Sequence, residues 1–270
     1  MVGKIIISSF LILLLMGISY SQKEEITYSS MDEALKSPEK VYNLRLVSKQ
    51  IDKVSPEIGR FVNLKDLDLS YNSFSKLPPE IGRLKNLRKL RIVCSRLTDL
   101  PKEIISLERL ESLTIGSSMD CDYYEVRPSR AAITLISKLT TLRELDIGVL
   151  VDFKEFPVEI CNLTKLEKLR ITFTDITRVP PEIGNLIALR ELTLEANKIK
   201  SIPPAISNLK KLEKLDLSQN RLTRLPSEIG NLENLKSLNL GNEFDEGNSF
   251  SKAERARIRR LLPHTRINFD

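Results

Sequence analysis

Apolar and polar positions along this chain recur with a fixed period. Leu166, Leu169, Ile171, Ile176, Val179, Pro180, Ile183 and Leu186 are followed 23 residues later by Leu189, Leu192, Leu194, Ile199, Ile202, Pro203, Ile206 and Leu209. A third copy reads Leu212, Leu215, Leu217, Leu222, Leu225, Pro226, Ile229 and Leu232. Such a period predicts a solenoid, in which each supersecondary unit buries its apolar face only against its neighbours. Repeats begin at Val41, Leu64, Leu87, Leu110, Leu142, Leu166, Leu189, Leu212 and Leu235, at intervals of 23, 23, 23, 32, 24, 23, 23 and 23 residues. In each, an apolar pair such as Leu67 and Leu69 sits two apart, the strand period. Both therefore point inward while Asp66, Asp68 and Ser70 face the other way. Nine strand segments in one parallel sheet follow, roughly 40 Å long at the usual strand spacing.

The rest of each repeat must return on the outside. Pro78, Pro101, Pro157, Pro180, Pro203 and Pro226 fix that path and withhold an N–H, which discourages a second long ladder there. Glu80, Glu103, Glu159, Glu182 and Glu228 follow, where acids suit the start of a short helix or 3-10 turn. Asn72, Asn197 and Asn220 lie just past the strands, where a buried amide satisfies loop backbone groups.

These residues resemble the 23-residue type of leucine-rich repeat, L-x-x-L-x-L-x-x-N-x-L-x-x-L-P-x-x-I-x-x-L, over residues 41–243. The flavour is similar to exported leucine-rich repeat proteins of spirochaetes and Bacteroidetes, and residues 258–269 resemble the terminal cap of those proteins. The resemblance implies an α/β solenoid, curved, with one parallel sheet on the concave face and short helices or 3-10 turns on the convex face. It also implies a protein-binding role, with a host protein as partner if the source is a pathogen. Both ends carry helical caps in the sequence itself. Ser30 and Glu33 have capping-box spacing before Pro38 in the N-terminal cap, residues 22–40. Ser251 and Glu254 have it in the C-terminal cap, residues 244–270, where Ile258, Leu261 and Leu262 face inward before Pro263 and a brief strand.

Residues 1–21 differ from all that follows. Lys4 precedes a mostly apolar run from Ile5 to Ile18, and Ser19-Tyr20-Ser21 offers cleavage positions, so this stretch reads as a secretory signal peptide. An uncleaved signal anchor is the alternative. Its removal takes one cation and no acid from the formal charge of +6, leaving +5. A soluble, monomeric, secreted or periplasmic chain with no membrane span is expected. Export permits disulfides. Cys161 occupies a position that holds Gly or Ser in most other repeats and reads as a packing residue, whereas Cys94 and Cys121 pair only if the loop carrying Cys121 folds back.

The pattern breaks in the middle. Ser95, Ser118, Leu150 and Thr174 replace the amide in four consecutive repeats. About nine extra residues lie within Ser118 to Ala132 of the fourth repeat, and solenoid insertions map to loops that often serve binding. Tyr123 and Tyr124 in this insertion, with Val149 and Phe173 on the concave side or its rim, form one candidate partner-binding patch. Leu150, Val151 and Phe153 serve either that patch or a satellite core. Arg88, Lys89, Arg91 and Arg170 form a polar candidate, interrupted by Asp66, Asp68, Glu144 and Asp146, which suits a protein partner better than a polyanion. With 42 basic and 36 acidic residues interspersed, no single-sign field of the kind nucleic-acid binding needs is evident.

Catalytic and metal constellations are missing from the sequence. His264 is the one histidine and has no Ser or Cys partner by sequence logic, and no Cys-x-x-Cys pair, His-Glu-x-x-His or phosphate loop occurs. Asp120 with Asp122, and Glu243, Asp245 and Glu246 with Asn248, read as polar loops, since neither fits a calcium loop. No cofactor, metal site or enzyme activity is expected. The reading is a protein-binding module that uses the concave sheet and the insertion. A carbohydrate or cell-wall glycan binder is the alternative, resting on export, Tyr123 and Tyr124.

Overall fold

A computed structural model describes residues 26–116, 121, 128–148, 154–242 and 247–270. The described chain forms one sheet of eleven parallel strands in sequence order. They are β1 (Thr27–Tyr28), β2 (Asn43–Arg45), β3 (Asp66–Asp68), β4 (Lys89–Val93), β5 (Ser112–Gly116), β6 (Glu144–Gly148), β7 (Lys168–Thr172), β8 (Glu191–Thr193), β9 (Lys214–Asp216), β10 (Ser237–Asn239) and β11 (Arg266–Asn268). Nine strands were expected in the repeats and a tenth in the C-terminal cap. The extra one, β1, has two residues and no apolar alternation, and joins through backbone pairing of Thr27 with Asn43 and Tyr28 with Leu44.

Each strand keeps its register with the next, so equivalent leucines stack. Leu44, Leu67, Leu90, Leu113, Leu145, Leu169, Leu192, Leu215 and Leu238 form one buried row. On the outer side, 3-10 turns such as Pro79–Arg83, Pro181–Asn185 and Ser227–Asn231 run antipodal to the strands. Pro ahead of each turn presets its φ, and the third residue turns inward. Ile81, Ile183 and Ile229 accordingly have no exposed surface. The core is a continuous stack of aliphatic layers, with Phe61 and Phe74 filling the wider first repeats.

The 32-residue repeat departs from this scheme. Its outer segment is a true helix, α2 (Arg130–Ile136), after α1 (Met31–Leu35) at the N-terminal end. Ser129 caps α2 by accepting the Ala132 N–H, and Ala132, Ile133 and Ile136 are buried. Ala131 and Ala132, expected in the inserted loop, therefore belong to the helix. Strands β4 to β7 run five residues where their neighbours run three. Gly116 ends β5 at φ +125, and a Cβ there would lie 2.3 Å from the Gly148 carbonyl oxygen, so only glycine fits.

The caps seal both ends. α1 forms as expected, but the Ser30 side chain makes no capping bond. The Ala34 N–H reaches the Ser30 carbonyl, so the expected capping box is absent. At the other end α3 (Lys252–Leu261) is capped by Ser251 Oγ, which accepts the Glu254 N–H at 3.1 Å. Ile258, Leu262, Phe250 and Phe269 join the core there.

Candidate functional site

The concave face is a floor of side chains set by strand register. One column, just ahead of the strands, reads Lys65, Arg88, Glu111, Arg143, Glu167, Arg190, Glu213 and Lys236, with alternating sign from Arg88 onward. The next, in direct register, reads Asp66, Lys89, Ser112, Glu144, Lys168, Glu191 and Lys214. The third reads Asp68, Arg91, Thr114, Asp146, Arg170, Thr193 and Asp216. Neighbouring strands lie about 4.8 Å apart, so like charges repeat about every 10 Å in the alternating column and about every 14 Å in the third.

Alternation lets each charge pair with the strand beside it. Arg88 meets Glu111 at 3.5 Å, Arg190 meets Glu213 at 2.6 Å, and Arg143 pairs with Glu167 and Lys236 with Glu213. In the second column Lys168 meets Glu144 at 3.4 Å and Lys214 meets Glu191 at 2.9 Å. Hydrogen bonds from Lys236 and Arg190 hold Glu213 below the usual carboxylate range, and Glu191 raises Lys214. In the third column Arg91 sits 3.2 Å from Asp68 and 3.8 Å from Asp66.

The ladder loosens at its centre. Thr114 and Thr193 interrupt the third column, and a depression of about 250 Å³ opens among Thr114, Glu144, Asp146, Lys168, Arg170 and Thr193. Arg170 is shared there between Asp146 at 3.9 Å and Glu195 at 3.8 Å. Burial raises the Asp146 carboxyl above its ordinary range, against the opposing pull of Arg170.

The residues singled out from sequence fall into three places. Arg88, Lys89 and Arg91 cluster at β4, all on the floor; Arg170 lies three strands away, roughly 14 Å along the sheet. Phe173 follows β7 at the strand-exit corner, half-buried, in the left-handed region at φ 54. Tyr123, Tyr124, Val149, Leu150, Val151 and Phe153 lie outside the described residues, as do Asp120, Asp122, Glu243, Asp245 and Glu246. The recurrence of acid and base down each column is present in the aligned repeats, strictly alternating only in the first from Arg88 to Lys236.

Both ends of the insertion are fastened. Cys94 and Cys121 form a disulfide with Cα atoms 5.3 Å apart, so the loop does fold back, and Cys161 is a free, buried thiol. At the far end the Ser129 N–H donates to the Thr98 carbonyl at 2.6 Å and Ser129 Oγ pairs with Asp99. Among the described residues no group of His, Cys, Asp and Glu is placed to hold a metal ion. Among them too, no helix is long and apolar enough to cross a membrane.

Asn248, taken from sequence as loop, is instead the last of the buried amides. Its Oδ1 accepts the Leu222 N–H at 2.9 Å, and its Nδ2 donates to the carbonyls of Leu217 and Leu240. The repeat period places that amide at residue 243, which is Glu, and Asn248 fills the role from five residues on.

Comparison with known proteins agrees with this architecture. A profile of the leucine-rich repeat region matches residues 40–182 and 177–251. An internalin of Listeria monocytogenes is similar over 90% of this chain and 72% of its own, at 20% identity and a TM-score of 0.64. The leucine-rich repeat ectodomain of the Arabidopsis thaliana receptor kinase GASSHO1/SCHENGEN3, solved with CASPARIAN STRIP INTEGRITY FACTOR 2, shares 28% identity at a TM-score of 0.56. That match covers 78% of this chain and 24% of the receptor. A Leptospira interrogans leucine-rich repeat protein aligns at 24% identity over 90% of this chain and all of its own, with a TM-score of 0.34. No curated protein matches the sequence significantly. Register-locked strands, stacked leucines and buried asparagines together with the profile match place this chain in the leucine-rich repeat family.

Proposed function

We propose that this chain is an exported, monomeric recognition module that holds a partner protein on its concave floor, with the insertion between Cys121 and Ser129 adding contacts at the strand-exit rim. The observation that carries the reading is the charge ladder. A protein surface with alternating charges can exchange partners with it rung by rung, whereas a polymer of one sign meets a repelling charge at every second or third strand. Exposed pairs of this kind contribute little to stability, about 0–1 kcal/mol each, so their regular placement suits recognition better than it suits folding. The disulfide beside the floor fits an oxidising compartment and a signal peptide ending at Ser21, with a host protein as partner if the source is a pathogen. The receptor ectodomain above was solved bound to a protein ligand, which supports the same use of the fold.

Affinity capture with the mature protein tests this. The triple variant Arg88→Glu, Lys89→Glu, Arg91→Glu places acids beside Asp66, Asp68 and Glu111 and should lose the captured partner by at least about tenfold, since like charges across a contact repel by several kcal/mol. Full retention of the partner would sink the concave-floor assignment.

A further inference from the structure

We propose that the outward face of the C-terminal cap is a docking surface for a sulfated linear polysaccharide, separate from the concave floor. Between Ser251 and Asp270 six Lys and Arg stand against two acids, giving this segment +4. Both acids are already engaged. Glu254 turns inward, where Arg257 pairs with it at 2.6 Å and the Leu225 N–H donates to it at 3.1 Å, and Asp270 meets Arg255 at 3.2 Å. Lys252, Arg259, Arg260 and Arg266 are exposed, and among the described residues no acid lies within ion-pair distance of them.

Helical geometry gathers these charges on one side. Lys252, Ala256, Arg259 and Arg260 recur at spacings of three, four and seven to eight residues and share the exposed face of α3, with Arg255 at the border towards the buried Ile258. Arg266, at the edge strand β11, extends the row. Arg255 and Arg259 lie 5.2 and 5.1 Å from the centre of the Phe269 ring. Arg255 is also bound to Asp270 and to the Phe250 carbonyl, whereas for Arg259 the ring orients the guanidinium without neutralising it and leaves its donors for an oxyanion. This is unlike the floor, where acids recur through every column.

The cap's chemistry selects among polyanions. Ala253 and Ala256 are the apolar residues of the outward face, too small to anchor in a bilayer. Phe250 and Phe269 are buried, so among the described residues no Phe of the cap is free to stack on a base. What remains is a row of fixed cations, of which the guanidiniums match the geometry of sulfate groups along a flexible chain.

The test uses the mature protein and immobilised dextran sulfate, with neutral dextran as reference, at about 0.15 M salt, where screening extends over ~8 Å. Binding to dextran sulfate and not to dextran is expected. The variant Lys252→Glu, Arg260→Glu, Arg266→Glu, which spares the contact of Arg259 with Phe269, should bind at least about tenfold more weakly and still unfold in one cooperative transition, since all three residues are exposed. The β4 triple variant should keep its dextran sulfate binding. Failure of the unmodified protein to bind, undiminished binding by the cap variant, or loss confined to the β4 variant would each overturn the proposal. Tighter binding to duplex DNA or to phosphatidylserine vesicles would overturn the polysaccharide assignment. Because partner capture on the floor is read separately, either surface can fail without the other.

Discussion

Asn220 fastens two repeats with one amide. Its Oδ1 accepts the Ile199 N–H at 3.0 Å, and its Nδ2 faces the carbonyls of Leu194, Leu217 and Ser218 at 2.8 to 3.0 Å. Asn197 also donates to Leu194, and Asn248 to Leu217, so removing the side chain orphans chiefly the Ile199 N–H. Asn220→Ala should therefore cost about 2 kcal/mol in a urea unfolding titration. Asn220→Asp, although closer in shape, should cost more, at least about 3 kcal/mol, because a carboxylate would face three carbonyl oxygens in a buried site. Equal losses for the two variants would show that the donor half of the amide is idle. These asparagines were legible in the sequence because the period repeats them. The residues just before the amide position were not. Tyr71, Cys94, Phe173, Ala196 and Gln219 all adopt left-handed backbone, at φ between 53 and 58. None of these types announces that conformation, which costs on the order of 1 kcal/mol apiece and is held by the ladder on either side.

At the scale of an element, α3 is tied to the last repeats by one partly buried ion pair besides its apolar face. The Glu254 and Arg257 side chains retain 12% and 22% of their exposure, and Arg257 also donates to the Leu225 carbonyl. Hydrogen bonding from Arg257, with a smaller contribution from the Leu225 N–H, holds the Glu254 carboxyl below the usual range. A carboxyl depressed in the folded state stabilises it above the unfolded value, near 4.3, and loses that contribution as pH falls through the lowered folded value. Glu254→Gln should thus lower stability by about 1–3 kcal/mol at pH 7, and the gap to the unmodified protein should close as pH falls below about 4. A gap that stays constant down to the acid limit would mean that the pair does not hold the helix. The Ser251 N-cap and the inward Ile258 were readable in the sequence, but the Glu254 carboxylate turns to Leu225 and Arg257, where the box would have it reach back to Ser251. The hold on Leu225 was not, since it joins residues 29 apart across a loop. The Ser30 box shows the converse: its spacing is right, yet only the ordinary first helical bond from the Ala34 N–H to the Ser30 carbonyl forms, and the side chain makes no capping bond.

The whole molecule is a stack whose two ends differ in how they are closed, and this sets how it should fail. Eleven strands at the usual spacing make a sheet about 48 Å long, in which each layer touches only its neighbours. Interior layers are covered on both sides by copies of themselves, so a lost contact there is spread over two interfaces. The last layer has no copy beyond it. Leu235, Leu238 and Leu240 are at most 4% exposed because α3, β11, Phe250 and Phe269 lie over them, and β10 pairs its outer edge with β11. Ending the chain at Asn242 should leave those three leucines wet, at a cost of about 5–8 kcal/mol, and bare an unpaired parallel edge. Residues 26–242 alone should therefore melt well below the intact chain and associate in sedimentation, through end-to-end contact of the exposed layers. A monomer with an unshifted melt would mean that the layers below sustain themselves, and that the cap's cations, not its apolar side, are why the cap is there.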